Sequence, residues 1–246
     1  MSAYLAEFIG TFVLLFFGAT VVANVSLKKT LASGGGDAWI LITAAWGFAV
    51  FCGVIVAGQF SGAHLNPAVS VGLAMAGKFS WSLVPLYVVA QLLGAMAGSF
   101  VAYIIYIDHF RATEDEGAVR GCFCTGPAIR NYKNNFFSEF FGTFLLVFII
   151  FYIASPNIEV EGVYIKQFGI GSLEALPVGI LVWVLGMTVG GTTGYAINPA
   201  RDLGPRIVYS LLPRKNKNAD WAYSWIPIVA PICGAIAAGV VFNLLN

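Results

Sequence analysis

Ser61-Gly62-Ala63-His64-Leu65-Asn66-Pro67-Ala68 and Thr193-Gly194-Tyr195-Ala196-Ile197-Asn198-Pro199-Ala200 are two versions of one phrase. Their Asn-Pro-Ala triplets lie 198 − 66 = 132 positions apart. The same offset relates Glu7-Phe8-Ile9-Gly10-Thr11-Phe12 to Glu139-Phe140-Phe141-Gly142-Thr143-Phe144. Two matched pairs at one offset mark the chain as a duplicated unit. Each triplet is therefore half of a paired structure.

The 246 residues are 59% hydrophobic and only 10% charged, with a mean hydropathy of +0.82. Soluble domains keep about a quarter of their residues charged, so this composition belongs in lipid. A net charge of +1 points to no nucleic acid and no acidic partner. The four cysteines suggest no disulfide framework, and no His stands near Cys122 and Cys124 to make a zinc site. The first apolar run has no basic leader and reads as a retained span. Apolar stretches near bilayer length run at about 4–25, 38–57, 81–107, 136–154, 173–190 and 221–245. A Gly-rich turn at Ser33–Asp37, a long polar loop at 108–135 and a break from Ser155 to Phe168 punctuate them. Each repeat supplies three spans, an odd number, so the second inserts upside down about an axis in the membrane plane. Small residues at helical spacing, Ala90, Gly94 and Gly98 and then Gly234 and Ala238, predict close packing between spans.

The apolar segment after each triplet is too short to cross. At 1.5 Å per residue the one after Asn66 covers about 15–18 Å, half of a ~30 Å hydrocarbon core. Asn is a strong N-cap and Pro suits the first helical position, so each triplet reads as a helix start. Two half-helices entering from opposite faces would meet near the midplane. The Gly-containing strings before the caps are non-helical backbone, tolerated at that depth only when buried or lining a watery cavity. Carbonyls of Gly62, Ala63, His64, Thr193, Gly194 and Tyr195 are expected to form a ladder of acceptors. Asn66 and Asn198, each with its oxygen held by its own helix, keep an NH₂ donor to offer. Such a waist suits small neutral hydroxylic molecules. Two helix starts, each with about half a positive charge, would repel cations and orient water against proton relay.

Arg201 sits in the first turn of a helix, where a cation opposes the dipole, so a use as a fixed donor at the narrowest point is expected. Asp202 beside it favours the helix start. Glu7 and Glu139 lie inside apolar spans, where an ionisable group is a functional candidate. Their equivalent placement predicts a duplicated structural task, accepting hydrogen bonds from pore-loop N–H groups. His64 reads as a packed loop residue and not as a metal ligand.

With both boxes, both Glu-x-x-Gly-Thr openings and six suitably spaced spans, the whole chain resembles the major intrinsic protein family, the aquaporins and glycerol facilitators. The resemblance implies an all-α membrane protein with six transmembrane helices plus two re-entrant half-helices in an inverted repeat, one pore per subunit, and a homotetramer. The chain is then a single channel domain, 1–246, with repeats at about 1–110 and 133–246 joined by the loop 108–135. The second box, Asn198-Pro199-Ala200-Arg201-Asp202-Leu203-Gly204-Pro205-Arg206, is similar to the glycerol-conducting branch, with Asp202 and the basic residue four later as its marks. The family's selectivity filter falls on Trp46, Gly186, Tyr195 and Arg201, and its waist on Asn66, Pro67, Ala68, Asn198, Pro199 and Ala200. Gly186 should leave room where water-selective members carry histidine. Trp46 and Tyr195 should make an apolar corner opposite the Arg201 donors. Bacterial facilitators commonly have Phe at the position of Tyr195.

The expectation is passive passage of glycerol and similar small neutral polyols, and of water, through the lipid bilayer, excluding protons and ions. No enzyme activity, cofactor, metal or nucleic acid is implied. A water-selective channel is the nearest alternative, and a secondary transporter relaying protons through Glu7 and Glu139 the rival from another class. A closed adhesive protein of the same fold is a third, and urea, ammonia and metalloids remain open as permeants. Lys28, Lys29, Arg111, Arg120, Arg130, Lys133, Arg214, Lys215 and Lys217 crowd one side, against Lys78 and Lys166 on the other. Positive charge alone would put the N-terminus outside. The resemblance implies the plasma (inner) membrane with both termini cytoplasmic, and it outweighs the charge count.

Overall fold

Caps and prolines set the helix boundaries in the computed structural model, which describes residues 1–35, 38–153, 158–160, 163–165, 171–215 and 217–246. Helix α1, Ala3–Ser26, starts where the Ser2 hydroxyl accepts the Leu5 N–H at 3.3 Å. α2 is Ala38–Ser61, and α3, Pro67–Met75, begins on Asn66, whose Oδ1 accepts the Ala68 N–H at 2.9 Å. After a 3₁₀ turn at Trp81–Leu83 comes α4, Val84–Ile105, followed by two short outer helices, α5 (Ile107–Ala112) and α6 (Glu116–Gly121). α7, Tyr132–Ile150, is capped by Asn131. A second 3₁₀ turn, Gly171–Ala175, leads into α8, Leu176–Thr188. The single turn α9, Gly190–Thr193, precedes α10, Pro199–Leu211, capped by Asn198, and α11, Ile226–Leu245, closes the chain. Among the described residues the one non-helical element is a ribbon of β1, Ile158–Val160, against β2, Val163–Ile165, with Ile158 opposite Ile165. It lies between the fourth and fifth spans and leaves the all-α membrane architecture intact. Most of the break between Ser155 and Phe168, with Glu161 and Lys166, and the end of the Gly-rich turn at Asp37 fall outside the described residues.

The 24 residues of α1 and of α2 rise about 36 Å, enough to cross. α4 and α8 with their 3₁₀ turns, and α11, are also long and apolar enough. α7 is the sixth span. It begins at Tyr132, four residues before the expected start, because Asn131 caps it; Lys133, Asn134 and Asn135 join the helix and lower its hydropathy. The last span starts late, at Ile226, since 221–225 is a turn and Pro227 sits in the first turn of the helix. The nine residues of α3 and thirteen of α10 rise only about 14 and 20 Å, so both are half-helices.

Packing follows the duplication. α1 packs on α4 as α7 packs on α11, and each half-helix lies against the other repeat's last span, α3 on α11 and α10 on α4. The repeats therefore interlock and do not merely abut. Buried faces carry small residues, while Phe17, Phe48, Leu86, Phe100 and Phe141 point outward. Lipid is as apolar as Leu, so close backbone contact and not apolar burial holds such helices together. Gly94 sits on the Phe8 carbonyl and Gly234 on the Phe140 carbonyl, with no space for a Cβ at either. Those two carbonyls belong to residues 132 positions apart, so the contact is the same one made twice. Gly234→Val should separate α11 from α7 and destabilise the fold by about 1–3 kcal/mol. Thermal unfolding in detergent reads this as a lowered midpoint, with Gly121→Val, where a Cβ meets nothing within 4 Å, as the neutral comparison.

Candidate functional site

Both strings before the helix caps follow the same backbone path. Gly62, Ala63 and Leu65 have φ of 79°, 48° and 51°, and Gly194, Tyr195 and Ile197 have 80°, 37° and 42°. Left-handed conformations cost non-glycine residues about 1–2 kcal/mol each, so something must hold them. In the first repeat it is Glu7. Its Oε1 accepts from Ser61 Oγ at 2.6 Å and the His64 N–H at 2.9 Å; its Oε2 accepts from the Leu65 N–H at 2.7 Å and Gln91 Nε2 at 2.8 Å. In the second, Glu139 accepts from Thr193 Oγ1 at 2.6 Å, Ala196 N–H at 2.9 Å and Ile197 N–H at 2.8 Å. Both carboxylates are buried, and each accepts two N–H groups of the loop before its cap, with Gln91 of α4 an additional donor to Glu7. His64 packs against Phe79 and Tyr87 with Nδ1 hydrogen-bonded to Ser70 Oγ at 3.0 Å.

The two caps face each other. Asn66 Nδ2 donates to the Ile197 carbonyl at 2.7 Å, and Asn198 Nδ2 donates to the Leu65 carbonyl at 2.9 Å. One N–H of each amide thus ties the repeats together, and the second N–H is the one left to offer. Alongside runs a cavity of about 140 Å³. Its lining includes the loop residues 62–66 and 195–198 and the apolar residues Leu14, Val50, Val54, Val69, Leu146 and Val182. Trp46 and Arg201, which touch one another, also line it, as do Leu73 and Ile150.

Several expected site residues stand elsewhere than the sequence suggested. The Thr193 hydroxyl is bound to Glu139 and Gly194 lies beside Thr125, while the residues that line the cavity begin at Tyr195 in this string. Leu65, Ala196 and Ile197 also line it, and the 132 offset that relates Leu65 to Ile197 and His64 to Ala196 was the signal that could have found them. Gly186 leaves no open room, because the Tyr195 ring fills it: a Cβ there would fall 2.8 Å from Tyr195 Cζ. Gly190 lies under the same ring, and Gly18 under the Trp46 indole. These glycines are seats for aromatic rings. The Tyr195 hydroxyl is buried without a hydrogen-bond partner among the described residues. Arg201 does not stand across an opening from Trp46; its Cζ lies 4.0 Å from the indole centroid, a cation–π contact that suits a water-poor site.

Asp202 does more than favour the helix start. Its Oδ1 accepts from Thr125 N–H at 2.8 Å and Thr125 Oγ1 at 2.5 Å, and Oδ2 from Arg206 Nε at 2.7 Å. Arg206, one turn on, also donates to the carbonyls of Thr125, Ala219 and Asp220. This buried pair fastens the outer loops to the half-helix that carries Arg201. The i,i+4 spacing of Asp202 and Arg206 was its only trace in the sequence. Farther out, Arg214 and Tyr209 bind Glu116. Burial opposes the charge of Glu116, but these hydrogen bonds outweigh it and hold its carboxyl below the usual range.

The family model described as major intrinsic protein matches residues 1–242. A probable glycerol uptake facilitator protein of Thermotoga maritima is 46% identical over 246 residues, all of both chains. Glycerol uptake facilitator protein 3 of Lactiplantibacillus plantarum is 49% identical, over 98% of this chain and 95% of that one. Among solved structures, the aquaglyceroporin of Plasmodium falciparum superposes with a TM-score of 0.80 at 34% identity, covering 98% of this chain and 94% of its own.

Asp202→Asn removes the charge that balances a fully buried guanidinium, and breaking such a pair costs about 3–5 kcal/mol. Thermal unfolding should show that loss. Retained stability would mean that Arg206 finds its balance elsewhere.

Proposed function

Because the chain belongs to the major intrinsic protein family, we infer that it is a passive channel for glycerol and similar small neutral polyols, with water as a lesser permeant. The observation that carries this reading is one cavity lined both by the two cap asparagines with their loops and by apolar side chains of the spans. A polyol has the same two kinds of surface, hydroxyls and C–H. Loop carbonyls accept its hydroxyl hydrogens, the amides of Asn66 and Asn198 donate to its oxygens, and Val50, Val54 and Val182 take its carbon face. An ion finds nothing there to replace its hydration, so entry is opposed by a large desolvation cost. Two half-helix starts, α3 and α10, add positive potential at the waist, which opposes cations and hydronium.

In this reading Trp46, Tyr195 and Arg201 form the filter, with Gly186 acting through the ring seated on it. Arg201 supplies donors at the mouth while Trp46 shields its guanidinium. A secondary transporter would need an ionisable group free in the bore. The Glu7 and Glu139 carboxylates are instead braced by loop donors, which favours the channel. The chain works as one channel domain of two repeats in a homotetramer, in the plasma membrane, with both termini inside. The loops bearing Lys28, Arg111, Arg130 and Arg214 then lie outside, where Arg130 and Arg214 are paired with Asp220 and Glu116.

Reconstituted vesicles followed by light scattering provide the test: glycerol shrink-swell should exceed that of empty vesicles. Water flux without glycerol flux would leave a water-selective channel, and saturable pH-driven uptake would leave a transporter. Gly186→Ala should push the Tyr195 ring into the bore. Glycerol permeability should then fall on the order of tenfold, and water permeability less, given about 1–3 kcal/mol for one misplaced methyl.

A further inference from the structure

The two aromatic rings that line the cavity are held by different forces. Trp46 rests on Gly18 and has the Arg201 guanidinium 4.0 Å from its centroid, so charge as well as shape fixes it. Tyr195 ends in a buried hydroxyl that no side chain or carbonyl among the described residues bonds. Packing alone therefore decides where the Tyr195 ring lies.

Two glycines and two side chains of α2 do that packing. Gly186 of α8 and Gly190 of α9 stand four residues apart. A Cβ on Gly186 would fall 2.8 Å from Tyr195 Cζ and 2.9 Å from its hydroxyl oxygen. One on Gly190 would fall 2.4 Å from Cδ1 and 3.0 Å from Cε1. The ring thus lies lengthwise over both glycines. On α2, Trp39 and Thr43 are also four residues apart and so share one helix face. The position over Gly186 is 2.9 Å from Thr43 Cγ2, and the position over Gly190 is 2.9 Å from Trp39 Cζ2. Thr43 turns its hydroxyl to the Ile40 carbonyl at 3.2 Å and so offers the ring a methyl. Trp39 meets the ring edge to face, with centroids 6.1 Å apart and planes at 77°, an arrangement the aromatic quadrupole favours.

We propose that Trp39 is a positioning residue for the filter: its indole pins the Tyr195 ring on Gly186 and Gly190, and the pinned ring leaves the passage wide enough for a polyol. Trp39 acts through Tyr195 and needs no contact with the solute. It stands about two turns before Trp46, so one helix sets both rings, Trp46 by carrying it and Tyr195 by this contact. Without the indole, no bond keeps the ring on its glycines, and the open space beside it is the cavity that it lines. A ring that swings there obstructs glycerol before it obstructs water.

The proposal rests on the channel reading, and the experiment tells their failures apart. Wild-type vesicles that pass no glycerol would overturn both. With wild-type glycerol flux present, Trp39→Leu should lower glycerol permeability about two- to tenfold, the loss expected of one aromatic pair, and water permeability less. Trp39→Phe, which keeps an aromatic partner for the ring, should retain most of the wild-type glycerol-to-water ratio. In a Tyr195→Ala background, Trp39→Leu should shift that ratio no further, because the ring it holds is gone. Trp39→Met is the second variant should Trp39→Leu not fold, with the same fall expected. An unchanged or raised ratio in the folded variant, or a further shift in the Tyr195→Ala background, would overturn the pinning and leave the channel reading standing.

Discussion

Non-helical backbone in the middle of a membrane needs acceptors for its N–H groups, and two buried carboxylates provide them. Glu7 and Glu139 stand in the first and fourth spans, where an ionised side chain would ordinarily be excluded. Each is tolerated because loop donors surround it, and each loop holds its left-handed turns because the carboxylate is there. Neither partner is stable at that depth without the other. The loop residues along the cavity, Asn66 and Asn198 among them, keep their places through this exchange.

The second constraint is reciprocity. Each cap asparagine uses its oxygen on its own helix and one N–H on a carbonyl of the opposite loop. The half-helices also pack on the far repeat's last span. Neither half could keep its loop in place alone, so duplication here makes a single structure and not two tandem modules. The outer loops are tied into the same frame through Asp202 and Arg206, which connect the half-helix of the second repeat to Thr125 and Ala219.

Size is distributed inversely to a soluble protein. Glycines and alanines stand where helices approach most closely, many large apolar side chains face out, and the buried Trp46 and Tyr195 rings rest on glycines of neighbouring helices. A glycine in such a place means that a ring occupies the space, which changes how substitutions there act. Adding a methyl at Gly186 works on Tyr195 before it works on any solute.

Much of this was legible in the chain itself. The repeated phrase at one offset specified the duplication, three spans per repeat specified its inversion, and Asn-Pro specified where each half-helix starts, because these are local or periodic properties. The placement of Glu7 and Glu139 predicted loop bracing, since equal positions in two repeats imply equal tasks. What only the tertiary structure decided are contacts between segments far apart in sequence. The Tyr195 ring filling the space over Gly186, Arg201 lying on Trp46, each asparagine reaching the opposite loop, and Arg206 gathering three carbonyls all depend on how helices cross. No spacing rule encodes those crossings, because the last spans correspond at a different offset from the rest.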